Sequence, residues 1–390
     1  MSTPRLSERG LSLLPSPTLA MAAKARALQA TGKQVVSFSM GEPDFPTPAS
    51  VVEAGVRALR DGKTKYVATP GILPLREAIS EKLKRDNSVL ADPENIVVSC
   101  GAKHSLFNAL NVLVGEGDEV IVFAPYWPTY VEQVRLAGAH PVIVPCSRVS
   151  KFVPELDRVR ASLTSRTKAV IVNSPNNPTG AVFDHKTLHG LANIACEADL
   201  WLICDEIYEK LVYGPSHLSL ASIDPEVAER TVTVNGCSKA FAMTGWRIGY
   251  SASPRHVAEK ISNFQDQVTS GVTSFAQYGA VAAMNLPADE VEAMRIEYMA
   301  RRDLIVSLLS AIEGVDVAVP EGAFYVFPSF KGHEDDLNLA IKFLERSYVA
   351  TVPGSDFGAN GHIRFSYATS REEIEEGVSR VASFMAMVEK

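Results

Sequence analysis

The stretch TVTVNGCSKAFAMTGWRIGYSA, residues 231–252, holds two strand-like runs, TVTVN (231–235) and RIGYSA (247–252), and with them Ser238, Lys239 and Arg247. Both runs are rich in residues that fit a pleated, packed surface. Read alone, Lys239 and Arg247 are as well explained as two solvated cations, because lysine and arginine are mostly surface residues. Toward the N-terminus the same texture returns as WLICD (201–205), AVIVN (169–173), PVIVP (141–145), EVIVF (119–123) and IVVS (96–99), with helical stretches between. From about Ser50 to Ser253 this alternation predicts an α/β fold with one large, mostly parallel, seven-stranded sheet. The near-continuous apolar character of the runs suits strands buried on both faces.

Beyond about Leu286 the texture changes. A long helical stretch at 289–312 is followed by GAFYVFPSF and HIRFSYATS, which predicts a smaller α+β lobe. A capping box, Ser370 with Glu373, announces a last helix with Ile374, Val378 and Val381 on its apolar face. The expected division is an N-terminal segment, 1–48, joining the small lobe, a large domain, 49–288, and a small C-terminal domain, 289–390.

At 390 residues the chain exceeds the size at which one hydrophobic core stops growing. Hydrophobic content of 46% and charged content of 21% describe an ordinary globular protein. A net charge of -7 gives no general attraction to nucleic acid or to an anionic membrane. The five cysteines, Cys100, Cys146, Cys196, Cys204 and Cys237, form no C-x-x-C pair, which favours free thiols in a reducing, cytoplasmic setting and no metal site. No apolar run reaches the ~18 residues of a membrane-spanning helix. The segment LSLLPSPTLAMAA resembles a signal h-region, but Pro15 and Pro17 interrupt it and Lys24 and Arg26 follow at once.

In open α/β sheets ligands bind beyond the carboxyl ends of the strands, so the residues after each run carry the functional reading. IVVS leads into CGAKHSLFNAL, a glycine turn opening a helix whose first N–H groups can hold a phosphate. EVIVF leads into APYWPTY, where Trp127 is either a core residue or a cover for a flat ring. AVIVN leads into SPNNPTG, which presents Asn176 and Asn177 on a turn. WLIC ends in Asp205, a helix N-cap or a carboxylate that needs a partner to be buried. One chemistry makes these pieces cooperate. A lysine amine forms a Schiff base with an aldehyde, an arginine and a helix N-terminus clamp a phosphate, and an aspartate pairs with a protonated pyridine nitrogen. Those are the needs of pyridoxal 5'-phosphate (PLP).

The stretches GEPDFPTP, SPNNPTG, DEIYE, SKAFAMTGWRIGY and RFSYATS, in this order, resemble the class I/II aminotransferases of fold type I. Together with KYVATPGILPLREAI and GAKHSLFNAL they are most similar to the aspartate aminotransferase branch called subgroup I-beta, some members of which also act on prephenate. The resemblance implies that Lys239 holds PLP covalently and moves a proton at the substrate, and that Asp205 pairs with the ring nitrogen. Tyr208 and Asn177 would bond the ring's phenolic oxygen. Gly101, Ala102, Lys103, Ser238 and Arg247 would hold the phosphate, with Trp127 packed on the ring. Arg364 would grip the substrate α-carboxylate, approached also by the backbone of Gly41. Lys103, Ser16 and Thr18 would approach the distal carboxylate of aspartate or glutamate, with 2-oxo acids as partners. Tyr66 would reach the phosphate of a neighbouring subunit, which implies a homodimer. Cys237, preceded by Gly236, stands where other branches carry a second serine, so fewer phosphate contacts are expected there.

A nicotinamide dehydrogenase is also α/β, but no G-x-G-x-x-G follows the first strand; the nearest string, GEGDEV at 115–120, precedes a strand. A non-catalytic regulator on this fold would carry a DNA-binding domain in front, for which no room is expected before Leu14. PLP-dependent C–S lyase chemistry remains open at this point, because a fold does not fix a function.

Overall fold

The computed structural model describes residues 5–7, 10–11, 17–214 and 216–388. After the helix Pro17–Ala30 comes the two-residue strand β1 (Val36–Ser37). The large sheet is built from β2 (Ile96–Ser99), β3 (Glu119–Ala124), β4 (His140–Pro145), β5 (Thr167–Asn173), β6 (Trp201–Asp205), β7 (Thr231–Gly236) and β8 (Gly249–Ala252). Its spatial order is β2-β8-β7-β6-β5-β3-β4. The pairs along β7-β6-β5-β3-β4 are parallel, whereas β8 lies antiparallel between β2 and β7. The reversal follows from the connection: only the single 3-10 turn Thr244–Trp246, and no α-helix, lies between β7 and β8, and a parallel return needs a crossover of about a dozen or more residues, usually an α-helix.

Two expectations are corrected here. The last strand begins at Gly249 rather than Arg247, because Arg247 adopts a left-handed conformation, φ 57° and ψ 47°, that no strand accommodates. Strand β4, at the sheet edge, buries only Pro141 and Val144 and leaves His140, Ile143 and Pro145 exposed, instead of burying both faces. The inner strands do bury both faces, since successive side chains point to opposite sides. On one side Ile171, Ile203 and Val234 pack with Leu106 and Leu110 of the helix Ala102–Leu113 and Ile261 of the helix Arg255–Val268. On the other, Val170, Val172 and Leu202 pack with Leu188, Leu191 and Ile194 of the helix His185–Glu197.

The C-terminal part is built around the helix Ala288–Ser310 and short strands. Strand β9 (Val315–Asp316) pairs with β11 (Ser329–Phe330), and β14 (Ile363–Ser366) lies between β10 (Tyr325–Val326) and β13 (Val352–Pro353), all antiparallel. Strand β12 (Val349–Ala350) pairs in parallel with β1, in the register Val36–Val349 and Ser37–Ala350. Phe38, next along from β1, is fully buried against Phe365 with ring centroids 5.5 Å apart. The last helix, Arg371–Val388, buries Ile374, Val378 and Val381 as the periodicity predicts. Only one arm of its capping box forms: the Glu373 N–H donates to Ser370 Oγ at 3.2 Å, while the Glu373 carboxylate accepts from the Thr369 hydroxyl.

Candidate active site

Beyond the carboxyl ends of β5, β6 and β7 lies a cavity of about 350 Å³. Asp205 lies in it at the end of β6, 2% exposed, and is not a helix cap. The Tyr130 hydroxyl donates to Asp205 Oδ2 at 2.7 Å and the Ile207 N–H to Oδ1 at 3.2 Å. Burial pushes this carboxyl up to about 6, against the pull of those two donors and of Lys239.

Lys239 enters the cavity from the loop after β7. Its ammonium donates to the Gly41 carbonyl and stands 5.9 Å from the Tyr208 ring centroid and 5.7 Å from that of Phe324. Burial pushes its pKa down to about 8; Glu42 and Asp205 oppose this, and the Arg364 and Arg247 cations add to it. The amine is therefore far easier to deprotonate than an ordinary lysine.

An anion-binding cup adjoins it. Gly101 precedes the helix Ala102–Leu113 at φ 85°, and no side chain caps that helix, so its first N–H groups have no partner within it. A Cβ on Gly101 would lie 2.5 Å from Arg247 Nη2, and one on Gly249 would lie 2.2 Å from the Ala102 nitrogen. Both glycines thus let the helix start press against β8 and the arginine. Arg247 is steadied by the Thr244 carbonyl at 2.8 Å and the Cys100 carbonyl at 3.3 Å, and buried Ser238 lines the same side. Ala102 and Lys103 line the cavity too, and the Lys103 ammonium lies 4.8 Å from the Trp127 ring centroid. Partial burial, then Arg247, hold the Lys103 amine below the usual lysine range.

The opposite wall comes from the C-terminal part. Arg364 of β14 is 2% exposed; Nη1 donates to Asn177 Oδ1 at 3.1 Å and Nη2 to the Ser39 carbonyl at 2.6 Å. Its guanidinium lies against Tyr325, 4.7 Å from the ring centroid, and Phe357, 5.0 Å. Among the described residues its Nε has no partner and no carboxylate pairs with it. A buried cation without a counter-charge is costly unless a ligand supplies one. Tyr208 bonds Tyr325 hydroxyl to hydroxyl at 2.8 Å.

The chain matches the family described as aminotransferase class I and II over residues 33–381. The chain is a class I and II aminotransferase. It is 48% identical over 383 residues to a probable aspartate/prephenate aminotransferase of Aquifex aeolicus, covering 96% of this chain and 97% of that one. An aspartate aminotransferase of Bacillus subtilis is 42% identical, covering 98% and 99%. The solved structure of the Thermus thermophilus aspartate aminotransferase with maleate superposes with a TM-score of 0.93 at 44% identity, covering 98% of this chain and 100% of that one.

In this aminotransferase the cavity collects Gly41, Ala102, Lys103, Trp127, Asn177, Asp205, Tyr208, Ser238, Lys239, Arg247 and Arg364, all residues that the sequence had singled out. Gly101 sits beside it, behind Arg247. Tyr66 does not line the cavity of its own chain and is 97% exposed. Ser16 lies outside the described residues, as does the side chain of Thr18. Two residues were missed, Tyr130 and Tyr325. Tyr130 stands in APYWPTY, whose two tyrosines were read only as aromatics beside Trp127 and not as partners of Asp205, and Tyr325 in GAFYVFPSF, read as small-lobe texture; neither lies directly after a strand of the large sheet.

The aminotransferase also places Glu206, Glu209 and His217 close enough to share a cation behind the cavity. An ammonium already serves that cluster: Lys82 donates to Glu209 and to Asn87 Oδ1, and Ser219 donates to Glu206 at 2.8 Å.

Proposed function

We propose that this aminotransferase transfers the amino group of L-aspartate or glutamate to 2-oxoglutarate or oxaloacetate, as a cytoplasmic homodimer with PLP on Lys239. The observation that carries this reading is Arg364, a buried guanidinium with no carboxylate paired to it among the described residues, facing the same cavity as Lys239 and Asp205. An α-carboxylate supplies the missing charge and suits the fork of an arginine.

The residues fit PLP on three counts. The uncapped helix start with Arg247 and Ser238 accepts a phosphate. Asp205 offers a carboxylate to a ring nitrogen, and Lys239 offers an amine held near neutrality. When bound, PLP supplies an electron sink for the pair left by a bond broken at the substrate α-carbon. Asp205 holds the proton on the ring nitrogen. Lys239, once its amine is free and neutral, takes the proton from the α-carbon and returns it. Tyr208 and Asn177 bond the phenolic oxygen, and Trp127 covers the ring and excludes water. Lys103, with Ser16 and Thr18, reads the distal carboxylate, and Tyr66 of one protomer completes the phosphate site of its partner. Prephenate is a second acceptor, a reading supported by the aspartate/prephenate name of the Aquifex relative.

The test is a single half-reaction. Mixing the PLP-loaded protein with L-aspartate should change the cofactor absorbance and release oxaloacetate stoichiometrically, and Lys239→Ala should slow this by several orders of magnitude. Ammonia and pyruvate would mark a lyase instead, and a Lys239→Ala protein with near-normal turnover would end the assignment.

A further inference from the structure

We propose that Tyr130 is a positioning residue that keeps the Asp205 carboxylate ionised and aimed into the cavity before any cofactor arrives. The proposal rests on the reading that Asp205 meets the cofactor's ring nitrogen. Tyr130 opens the helix Thr129–Leu136 and is 2% exposed; its hydroxyl bonds Asp205 Oδ2 at 2.7 Å. An ionised carboxylate only accepts, so the hydroxyl is the donor. Apart from it, the side chain of Asp205 has among the described residues only the 3.2 Å bond from the Ile207 N–H. The titratable groups around this carboxylate do not otherwise hold it charged. Glu206 next to it repels the negative form, Lys239 attracts it, and the buried Cys204, Tyr208 and Tyr325 are neutral at ordinary pH. A lone buried carboxylate takes up a proton, and in that state it would donate to a ring nitrogen rather than accept from it.

The same turn fixes the hydroxyl in place. The Tyr130 N–H donates to the Trp127 carbonyl at 3.0 Å, and the two rings meet edge to face with centroids 5.5 Å apart. One short segment after β3 therefore supplies both the cavity's indole and the donor that sets the charge of the carboxylate.

Tyr130→Phe removes the donor and keeps the ring. In the cofactor-free protein, carbon-13 NMR of the Asp205 carboxyl, assigned by difference from Asp205→Asn, should show its midpoint displaced upward from about 6 by a pH unit or more. PLP affinity at neutral pH should fall about twofold for a one-unit displacement and about tenfold for two, and recover as pH rises past the displaced midpoint. In an Asp205→Asn background the same substitution should leave PLP affinity unchanged, which also checks that the fold is intact. An unmoved midpoint, an equal loss of affinity at every pH, or a further loss in the Asp205→Asn background would overturn the proposal. If the midpoint moves while the parent protein fails to bind PLP, the cofactor reading fails and the role of Tyr130 stands.

Discussion

Replacing Arg364 by lysine keeps a positive charge but removes the fork. In the parent chain the guanidinium spends one nitrogen on Asn177 at 3.1 Å and one on the Ser39 carbonyl at 2.6 Å, and still has Nε and further protons to offer a carboxylate. A lysine has one nitrogen. Its three protons radiate from one point and cannot meet both carboxylate oxygens in parallel as the guanidinium does, so at least one charge-assisted hydrogen bond to the α-carboxylate is lost, worth about 1.5–3 kcal/mol. At about 1.4 kcal/mol per factor of ten, the expected loss in kcat/KM is about 10- to 150-fold. Every substrate with an α-carboxylate should suffer alike. The assay is single-turnover absorbance after mixing PLP-loaded protein with L-aspartate, L-alanine or benzylamine, which carries no carboxylate. Both amino acids should slow by the stated factor and benzylamine should be unchanged. If all three slow together, Arg364 acts on the cofactor or the fold. If none does, the missing counter-charge is not supplied by substrate.

Lys103→Ser should cost about 2 kcal/mol in kcat/KM with aspartate and glutamate and little with alanine; an equal loss with all three would make Lys103 a phosphate or folding residue. Asp205→Asn should stabilise the cofactor-free protein against urea. The folded carboxyl titrates at about 6 instead of 3.8, so its ionisation penalty is absent below pH 3.8 and complete above about 6. The stability gain should therefore grow across that window to about 3 kcal/mol, and a gain independent of pH would refute it. For Tyr66, mixing inactive Lys239→Ala chains with weakened Tyr66→Phe chains should give heterodimers with one intact site and restore activity toward half that of the parent dimer; no rescue in verified heterodimers would place each site within one chain.

All seven strands were legible as apolar runs bounded by turn residues, as IVVS and WLICD are, although only those other than β4 bury both faces. The direction of β8 was legible in principle, in the lack of any stretch long enough for a crossover α-helix between the runs at 231–235 and 247–252, but residue texture does not record it. The start of that strand was not legible. The left-handed conformation of Arg247, like that of Ala242, is imposed by the loop's surroundings on residues with no intrinsic preference for it. Site residues directly after strands were found because topology concentrates function there. Tyr130 reaches Asp205 from a helix, and Tyr325 reaches Tyr208 from a separate sheet. Those encounters belong to tertiary packing, and no local pattern carries them.

The pairing of Val36 with Val349 also sets an order of events during synthesis. As the chain leaves the ribosome, β1 and Phe38 emerge early, but their partners β12 and Phe365 are made only near the end. The large sheet can assemble meanwhile, since its strands lie between residues 96 and 252. The apolar N-terminal segment must wait, uncovered, for most of translation. Contacts this distant in sequence form late and expose the nascent chain to aggregation. Recovery of soluble protein should therefore fall when translation is slowed after residue 252 and chaperones are scarce, while slowing it before residue 36 should have little effect.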